Sequence, residues 1–219
     1  MNMIYTSIRK MGRPLAALSL ALAAATPAVL FAPTMAQAQA SDIDRAVAAL
    51  RGVTTLRANF VQTDRSGQNV SGVLTMKRPG KIRFQYQKGV PLLIVGVGKA
   101  LTMIDYEVRQ VQRWPIRNSP LGALLDPGRD VMRYARLMPA ANSMVVPVEV
   151  RDPKHPEYGV ITMVFVRSAG APGGLELSSW AMLDSQNAKT IVTLSNQHYG
   201  VALGDNAFKY NDPRTPTRR

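Results

Sequence analysis

Apolar residues recur at every second position between Leu56 and Tyr86, and this spacing constrains the fold more than any other feature of the chain. The alternation runs through three successive segments, and the second and third meet at a charged turn, Lys-Arg-Pro-Gly-Lys, at positions 77–81. A period of two is typical of β-strands with one buried face, because successive side chains point to opposite sides of a strand. The sequence therefore predicts antiparallel strands with a common apolar face.

The same period continues to about Trp114 and returns from Met144, with Gly, Pro, Asn and Asp at the breaks, where turns favour them. Between Pro115 and Met138 the apolar spacing becomes helical and predicts two short helices. The predicted strands are 54–63, 69–77, 81–87, 91–96, 100–106, 107–113, 144–150, 159–167, 175–184 and 189–197, with a last short strand at Ala207–Tyr210.

A further helix is predicted before the first strand, with Ser41 as N-cap, acidic residues in its first turn and Gly52 beyond its end. About eleven antiparallel strands and three short helices do not suit a closed membrane barrel, because the helices need a surface to cover. We therefore expect a mainly β fold, a strongly bent antiparallel sheet whose concave side is covered by helices.

Residues 1–40 have the features of a secretory signal peptide: three basic residues, an apolar Ala-rich run from Leu15 to Ala32, and an A-x-A cleavage motif that ends at Ala40. Cleavage after Ala38 is an alternative, and a membrane anchor is a second interpretation of the run, disfavoured by Pro27. We expect an exported protein whose mature part, 41–219, is one domain.

Cysteine is absent, which excludes a disulfide framework, thiol catalysis and Cys-based zinc sites. Three of the 27 basic residues precede position 41 and none of the 14 acidic ones does, so the mature part has 24 basic residues and a net charge of +10. A basic exported domain favours an anionic partner, such as a membrane surface, an acidic protein or a lipid head group. A solvated basic surface is the alternative.

Few residues suit catalysis. His155 and His198 are the two histidines, and neither has the spacing of a metal site or lies near a G-x-S-x-G elbow. Gly96-Val97-Gly98-Lys99 lacks the third glycine and the Ser or Thr of a phosphate loop, so it predicts a hairpin turn. No nucleic-acid motif is evident. We expect no cofactor, no metal and no enzyme activity, although a hydrolase with a serine close to either histidine stays open.

Six short motifs follow one another along the mature chain. They are Ala58-x-Phe60-x-Gln62, Gly72-x-Leu74, Lys77-Arg78-Pro79-Gly80-x-x-Arg83-Phe84-x-Tyr86, the S-P-L-x-x-L-L segment at 119–125, Asp184-x-Gln186 and Phe208-x-Tyr210-x-x-Pro213. In this order they resemble the LolA family of periplasmic outer-membrane lipoprotein carriers over essentially the whole mature chain. Two positions depart from the family pattern: Ile82 stands where a larger aromatic residue can occur, and Asn187 where glycine is usual.

This resemblance implies an incomplete, open antiparallel β-barrel with a helical lid over a hydrophobic cavity. It also implies a soluble periplasmic chaperone, expected as a monomer, that binds the acyl chains of lipoproteins. Such a carrier takes them from an inner-membrane ABC transporter of the LolCDE type and passes them to an outer-membrane receptor of the LolB type. A carrier of another amphiphilic lipid and, from a different class, a lipid-ester hydrolase are the alternatives.

The functional arginine of the family matches Arg78, and its aromatic cavity strand matches Ile82, Phe84 and Tyr86. We expect the Arg78 guanidinium, with its five donors, to hold carbonyl oxygens of the lid as a latch; a solvated turn arginine is the alternative. The expected acyl-chain cavity residues are Phe60, Leu74, Met76, Ile82, Phe84, Tyr86, Leu92, Ile94, Leu101 and Met103. The expected lid residues are Leu121, Leu124, Leu125, Val131 and Tyr134.

Overall fold

The structure is a computed structural model that describes residues 34–116, 121–125 and 131–214. In these residues eleven antiparallel strands form one open sheet, as predicted. The strands are β1 Thr55–Thr63, β2 Asn69–Lys77, β3 Lys81–Tyr86, β4 Leu92–Val97, β5 Ala100–Asp105, β6 Gln110–Pro115, β7 Ala135–Leu137, β8 Val145–Arg151, β9 Val160–Arg167, β10 Leu175–Leu183 and β11 Lys189–Tyr199. The helices are α1 Thr34–Gly52 and α2 Gly122–Leu125, with 3₁₀ turns at Val131–Tyr134, Pro156–Tyr158, Pro172–Gly174 and Asp205–Phe208.

The connection between β6 and β7 joins the two edge strands of the sheet. The order is β6-β5-β4-β3-β2-β1-β11-β10-β9-β8-β7, so β6 and β7 are the two edges of the sheet. A chain that leaves one edge and enters the other has to run across the open side between them. The sequence predicts the lid in this connection, of which the structure describes residues 121–125 and 131–134, and we call these residues the lid.

Two aromatic rings show how strongly the sheet curls. Phe84 lies on β3 and Trp180 on β10, four strands apart, which corresponds to about 19 Å along a sheet with strands about 4.8 Å apart. Their ring centroids are nevertheless 6.3 Å apart. The two strands must therefore turn their inner faces toward each other, and the side chains of the concave face meet across its interior.

Helix α1 covers the half of the concave side formed by β7, β8 and β10. Its buried side chains are Ala46, Val47, Ala49 and Leu50, which recur at helical spacing. In the middle of the helix, the Asp42 carboxylate accepts two hydrogen bonds of 2.8 and 2.9 Å from one amino group of the Arg167 guanidinium on β9. The helix is thus held by an apolar stripe and an ion pair.

A second apolar cluster lies on the outer face of β4 and β5. Leu93, Val95 and Ile104 are buried there beneath Phe208 from the C-terminal 3₁₀ turn. The same turn is held by Asp205, whose carboxylate lies 2.8 Å from the Lys81 ammonium and 3.1 Å from that of Lys77. This part of the sheet is therefore buried on both faces, which an alternating pattern with one apolar face does not predict.

Two expectations for the chain ends differ from the structure. The predicted strand Ala207–Tyr210 is wrong: Asp205–Phe208 is a 3₁₀ turn, because burial of Phe208 and the two lysine contacts outweigh a short alternation. Ser41 is not the N-cap, since α1 already begins at Thr34 in an Ala-rich segment of high helix propensity. Residues 1–33 of the predicted signal peptide lie outside the described residues.

Two internal expectations also need correction. The strand predicted at 107–113 is β6, Gln110–Pro115, because the Asp105 side chain accepts hydrogen bonds from the backbone N–H groups of Glu107 and Val108 and extends the turn. The helical spacing through Met138 is misleading, since Ala135–Leu137 pairs with β8 as strand β7. Pairing with a neighbouring strand here overrides a local pattern.

We expect Phe208→Ala to lower the free energy of unfolding by about 3–5 kcal/mol, because it removes the side chain that fills the outer cluster. Tyr210→Ala, at a side chain that is 38% exposed, is the control and should change it by less than about 0.5 kcal/mol. Urea denaturation followed by circular dichroism measures both. Equal effects of the two substitutions would show that the C-terminal turn does not stabilise the sheet.

The contacts of Asp205 predict a pH dependence of stability. Hydrogen bonds from Lys81 and Lys77 lower the pKa of Asp205 from its ordinary value of 3.8 to about 2. A carboxyl whose pKa is lower in the folded state stabilises the fold when ionised, and this contribution disappears as the pH falls from about 4 toward 2. In Asp205→Asn the acid-side decrease should therefore be shallower, as measured by denaturation at stepped pH. Parallel curves for both proteins would contradict this.

Candidate functional site

The Arg78 side chain joins the β2–β3 turn to the lid. Its Nε donates a 3.0 Å hydrogen bond to the carbonyl oxygen of Val53, before β1. Its Nη1 and Nη2 each donate a 3.0 Å hydrogen bond, to the carbonyl oxygens of Leu125 and Leu124 respectively. The last carbonyls of a helix have no partner within it and favour a cation, so the end of α2 is a suitable acceptor for a guanidinium fork.

The lid residues that Arg78 holds by their backbone also fill the interior with their side chains. Leu124 and Leu125 are buried in the same apolar cluster as the inner face of the sheet, and Leu121 packs against it. The backbone of α2 is one hydrogen-bonded turn, in which the N–H groups of Leu124 and Leu125 both bond to the Leu121 carbonyl. Arg78 and the apolar cluster therefore hold the same short segment from two directions.

Three aromatic rings form the centre of the inner face. Phe60 contacts Phe84 and Tyr86 edge to face, with ring centroids 5.3 and 5.2 Å apart. The Tyr86 hydroxyl donates a 2.7 Å hydrogen bond to Oε1 of Gln62, and burial raises the pKa of Tyr86 to about 12. The phenol is thus a neutral group with its donor satisfied, which keeps the interior free of charge at this point.

Close packing of the Phe60 ring requires a glycine on the next strand. Gly72 lies opposite Phe60, and a Cβ there would be 2.7 Å from the Phe60 ring and 2.2 Å from the carbonyl oxygen of Gln85. Gly96 plays the same part beside Ile82, whose methyl group would lie 2.7 Å from an added Cβ. These two glycines let large side chains lie directly on the backbone of the neighbouring strand.

The structure brings most of the predicted cavity residues together, and those on the first three strands are the best covered. Along one row of paired residues, Leu74 and Phe84 are buried, whereas Ile94 and Met103 are partly exposed. Along this row, the side chains become more exposed toward β5. The residues buried in the cluster are Phe60, Leu74, Met76, Ile82, Phe84, Tyr86 and Leu101; Leu92 and Ile94 pack against it, and Met103 does not join it.

Tyr134 does not belong to this interior. It lines a separate cavity of about 480 Å³ at the β7 edge, together with Arg133, Arg136 and Arg151. The Arg133 guanidinium lies over the Tyr134 ring, 5.8 Å from its centroid. The side chain of Val131 and the remainder of the S-P-L motif, residues 119–120, lie outside the described residues. The described lid thus contributes Leu121, Leu124 and Leu125 to the interior.

Trp180 is an interior residue that the sequence pattern did not single out. It is fully buried on β10 and contacts Phe84 across the interior. A β-bulge between Leu177 and Ser179 shifts the pairing with β9, so Leu177 and Trp180 both face inward although they are three residues apart. Regular alternation does not identify Trp180 as an inward-facing residue, because the bulge changes the alternation of the two faces along β10.

The histidines show no catalytic arrangement. His155 Nδ1 lies 2.9 Å from the Glu157 carboxylate, and its ring stacks on Tyr158. Neither it nor His198, exposed on β11, bonds to a serine hydroxyl within the residues that the structure describes. In the same residues no group of three His, Cys, Asp or Glu side chains is placed to hold a metal ion.

Comparison with known proteins identifies the family. The family model described as outer membrane lipoprotein carrier protein LolA matches residues 51–211. The chain belongs to the LolA family. An outer-membrane lipoprotein carrier protein of Chromobacterium violaceum is 30% identical over 198 residues, 86% of this chain and 92% of that protein. One from Dechloromonas aromatica is 29% identical over 195 residues, 85% of this chain and 91% of that protein.

A solved structure of a LolA superfamily protein from Nitrosomonas europaea overlays with a TM-score of 0.45 and 11% identity, covering 78% of this chain and 98% of that one. The LolA relatives from C. violaceum and D. aromatica are named as carriers rather than as enzymes. Among the described helices of this LolA family member, none is both long and apolar enough to span a bilayer.

We expect Gly72→Ala to destabilise this LolA family member by about 1–3 kcal/mol, because the new methyl group collides with the Gln85 carbonyl oxygen and with Phe60. Gly170→Ala is the matched control: its Cβ would have no atom within 4 Å, and its effect should stay within about 0.5 kcal/mol. Chemical denaturation of both variants measures the difference. Equal stabilities would contradict the close packing of Phe60 on β2.

Proposed function

We propose that this protein carries outer-membrane lipoproteins through the periplasm, with their acyl chains held between the concave sheet and the lid. The observation that carries the proposal is that lid and sheet share one apolar cluster while Arg78 holds the lid by two backbone carbonyls. The named function of the LolA relatives supports it.

An acyl chain needs such a cover. Each methylene removed from water contributes about 0.8 kcal/mol, so a chain of 16 carbons exposed to water costs on the order of 12 kcal/mol. A lipoprotein carries two or three such chains, and free diffusion through an aqueous compartment is therefore very unfavourable. Burial in an apolar interior offsets most of this cost.

Loading must separate the lid from the sheet. Acyl chains that enter the interior replace the contacts of Leu124 and Leu125, and moving these residues breaks the bonds from Arg78 to their carbonyls. Hydrogen bonds from a charged donor contribute about 1.5–3 kcal/mol each. The latch thus opposes loading by a few kcal/mol, which is less than the burial of one chain contributes. Binding is favourable but can be reversed.

This balance supports a direction of transport. A carrier that binds its cargo favourably, yet less tightly than an open apolar interior without a latch would, can pass it to a receptor of higher affinity. No nucleotide is needed at the carrier, since affinity differences move the cargo. We propose that the donor is an inner-membrane ABC transporter of the LolCDE type and the acceptor an outer-membrane receptor of the LolB type.

The cargo can be identified directly. Mass spectrometry of ligand extracted from protein purified from the periplasm should detect an acylated N-terminal peptide or an intact lipoprotein. Exclusive recovery of a glycolipid or another amphiphile would contradict the lipoprotein and favour a carrier of a different lipid on the same scaffold.

We expect Arg78→Leu to slow the release of bound lipoprotein to a receptor by at least about tenfold. Loss of even one charge-assisted hydrogen bond destabilises the closed, empty state by more than about 1.4 kcal/mol, so the loaded state becomes relatively more stable. Arg78→Lys keeps the charge but not the planar fork and should be intermediate. Arg65→Leu, at an exposed turn, is the charge-matched control. A reconstituted release assay measures all three, and wild-type release by Arg78→Leu would refute the latch.

A further inference from the structure

The Trp180 indole carries the one buried side-chain donor or acceptor atom that has no hydrogen-bond partner in the described part of the chain. Trp180 is fully buried, and its Nε1–H is therefore also shielded from water. Such atoms are rare in folded proteins, because an unpaired buried donor costs about 1–3 kcal/mol. If the interior receives acyl chains as proposed above, such an orphaned donor can take its partner from the ligand.

The neighbouring polar group of the interior shows the contrast. The Tyr86 hydroxyl, on the same inner face, is paired with the side chain of Gln62 at 2.7 Å. Trp180 instead lies opposite Met163 and Val192 in the sheet, and its ring meets Phe84 at an interplanar angle of 73°. Contact of an N–H group with an aromatic face is weak and does not replace a hydrogen bond to oxygen.

The position of Trp180 also fits a ligand contact. The Phe84–Trp180 pair bridges β3 and β10 across the middle of the concave side. An acyl chain that occupies this space has to lie against these rings or part them, and in either case it passes the indole edge. The carbonyl group at the head of the chain can then reach Nε1.

We propose that the Trp180 Nε1–H donates a hydrogen bond to the carbonyl oxygen of the ester or amide that links an acyl chain to its carrier molecule. The indole is a donor only, so its partner must be an acceptor. A neutral carbonyl meets this need, whereas a free carboxylate would bring an unpaired charge into an apolar interior at high cost. The ligand class is therefore acyl esters and amides rather than free fatty acids or plain hydrocarbon.

This inference rests on the proposed acyl-chain binding and adds a chemical selectivity to it. A hydrocarbon chain without a carbonyl gains the same apolar contacts but leaves the indole unpaired. Pairing one neutral donor contributes on the order of 1 kcal/mol, so we expect the carbonyl to raise affinity by about five- to tenfold.

Two lysolipids that differ only in one carbonyl provide the test. Lysophosphatidylcholine with an ester-linked chain and its ether-linked counterpart of equal length are titrated into the purified full-length protein by calorimetry. Wild type should prefer the ester by about five- to tenfold. Trp180→Phe should bind the ester and the ether with equal affinity, while Trp114→Phe, the matched control, should keep the preference for the ester.

A spectroscopic readout on the unmodified protein covers the case in which Trp180→Phe folds poorly. The indole Nε1–H proton resonance of Trp180 should move downfield when the ester binds and stay near its free position when the ether binds. Equal affinity of wild type for the two lysolipids, or a preference that survives in Trp180→Phe, overturns the role of Trp180 and leaves acyl-chain binding intact. Failure of both lysolipids to bind overturns the proposed function as well.

Discussion

The fork of hydrogen bonds from Arg78 is the contact on which the rest of the arrangement depends. It joins Val53, two residues before β1, to the β2–β3 turn and the end of α2 through three bonds of 3.0 Å. The described part of the lid lies between the β6 and β7 edges in the chain, and the apolar cluster and Arg78 both contact it. Arg78 holds the lid by directional hydrogen bonds, and the apolar cluster holds it by hydrophobic stabilisation, which is roughly proportional to the apolar area buried.

These two parts respond differently to a ligand. Apolar contacts between lid and sheet can be exchanged for contacts with an acyl chain at little net cost, because both surfaces stay buried. The bonds from Arg78 cannot be exchanged in this way, since the hydrocarbon part of an acyl chain has no acceptor for a guanidinium. A closed interior held by replaceable apolar contacts and a non-replaceable polar latch is suited to temporary binding. The orphaned Trp180 donor adds a point at which the linkage of the chain, rather than its length, is sensed.

Much of the sheet could be predicted from the sequence, because alternation and turn residues act locally. Strands β1 to β3 and the turn that carries Arg78 agree with their predicted bounds to within one residue. The remainder depends on distant contacts. Burial of Phe208 against the outer face decides the C-terminal turn, pairing with β8 decides β7, and a bulge turns Trp180 inward. The spacing of apolar residues within a single segment does not predict such long-range contacts.

Intermolecular nuclear Overhauser effects between an isotope-labelled acyl chain and the protein test most directly whether the space under the lid is where cargo is held. With a short acylated lipopeptide bound, we predict contacts from the chain to Phe60, Phe84 and Leu124, and weakening of the contact between the Phe84 and Trp180 rings. Contacts confined to the outer face around Phe208, with the Phe84–Trp180 contact unchanged, would contradict binding in this interior.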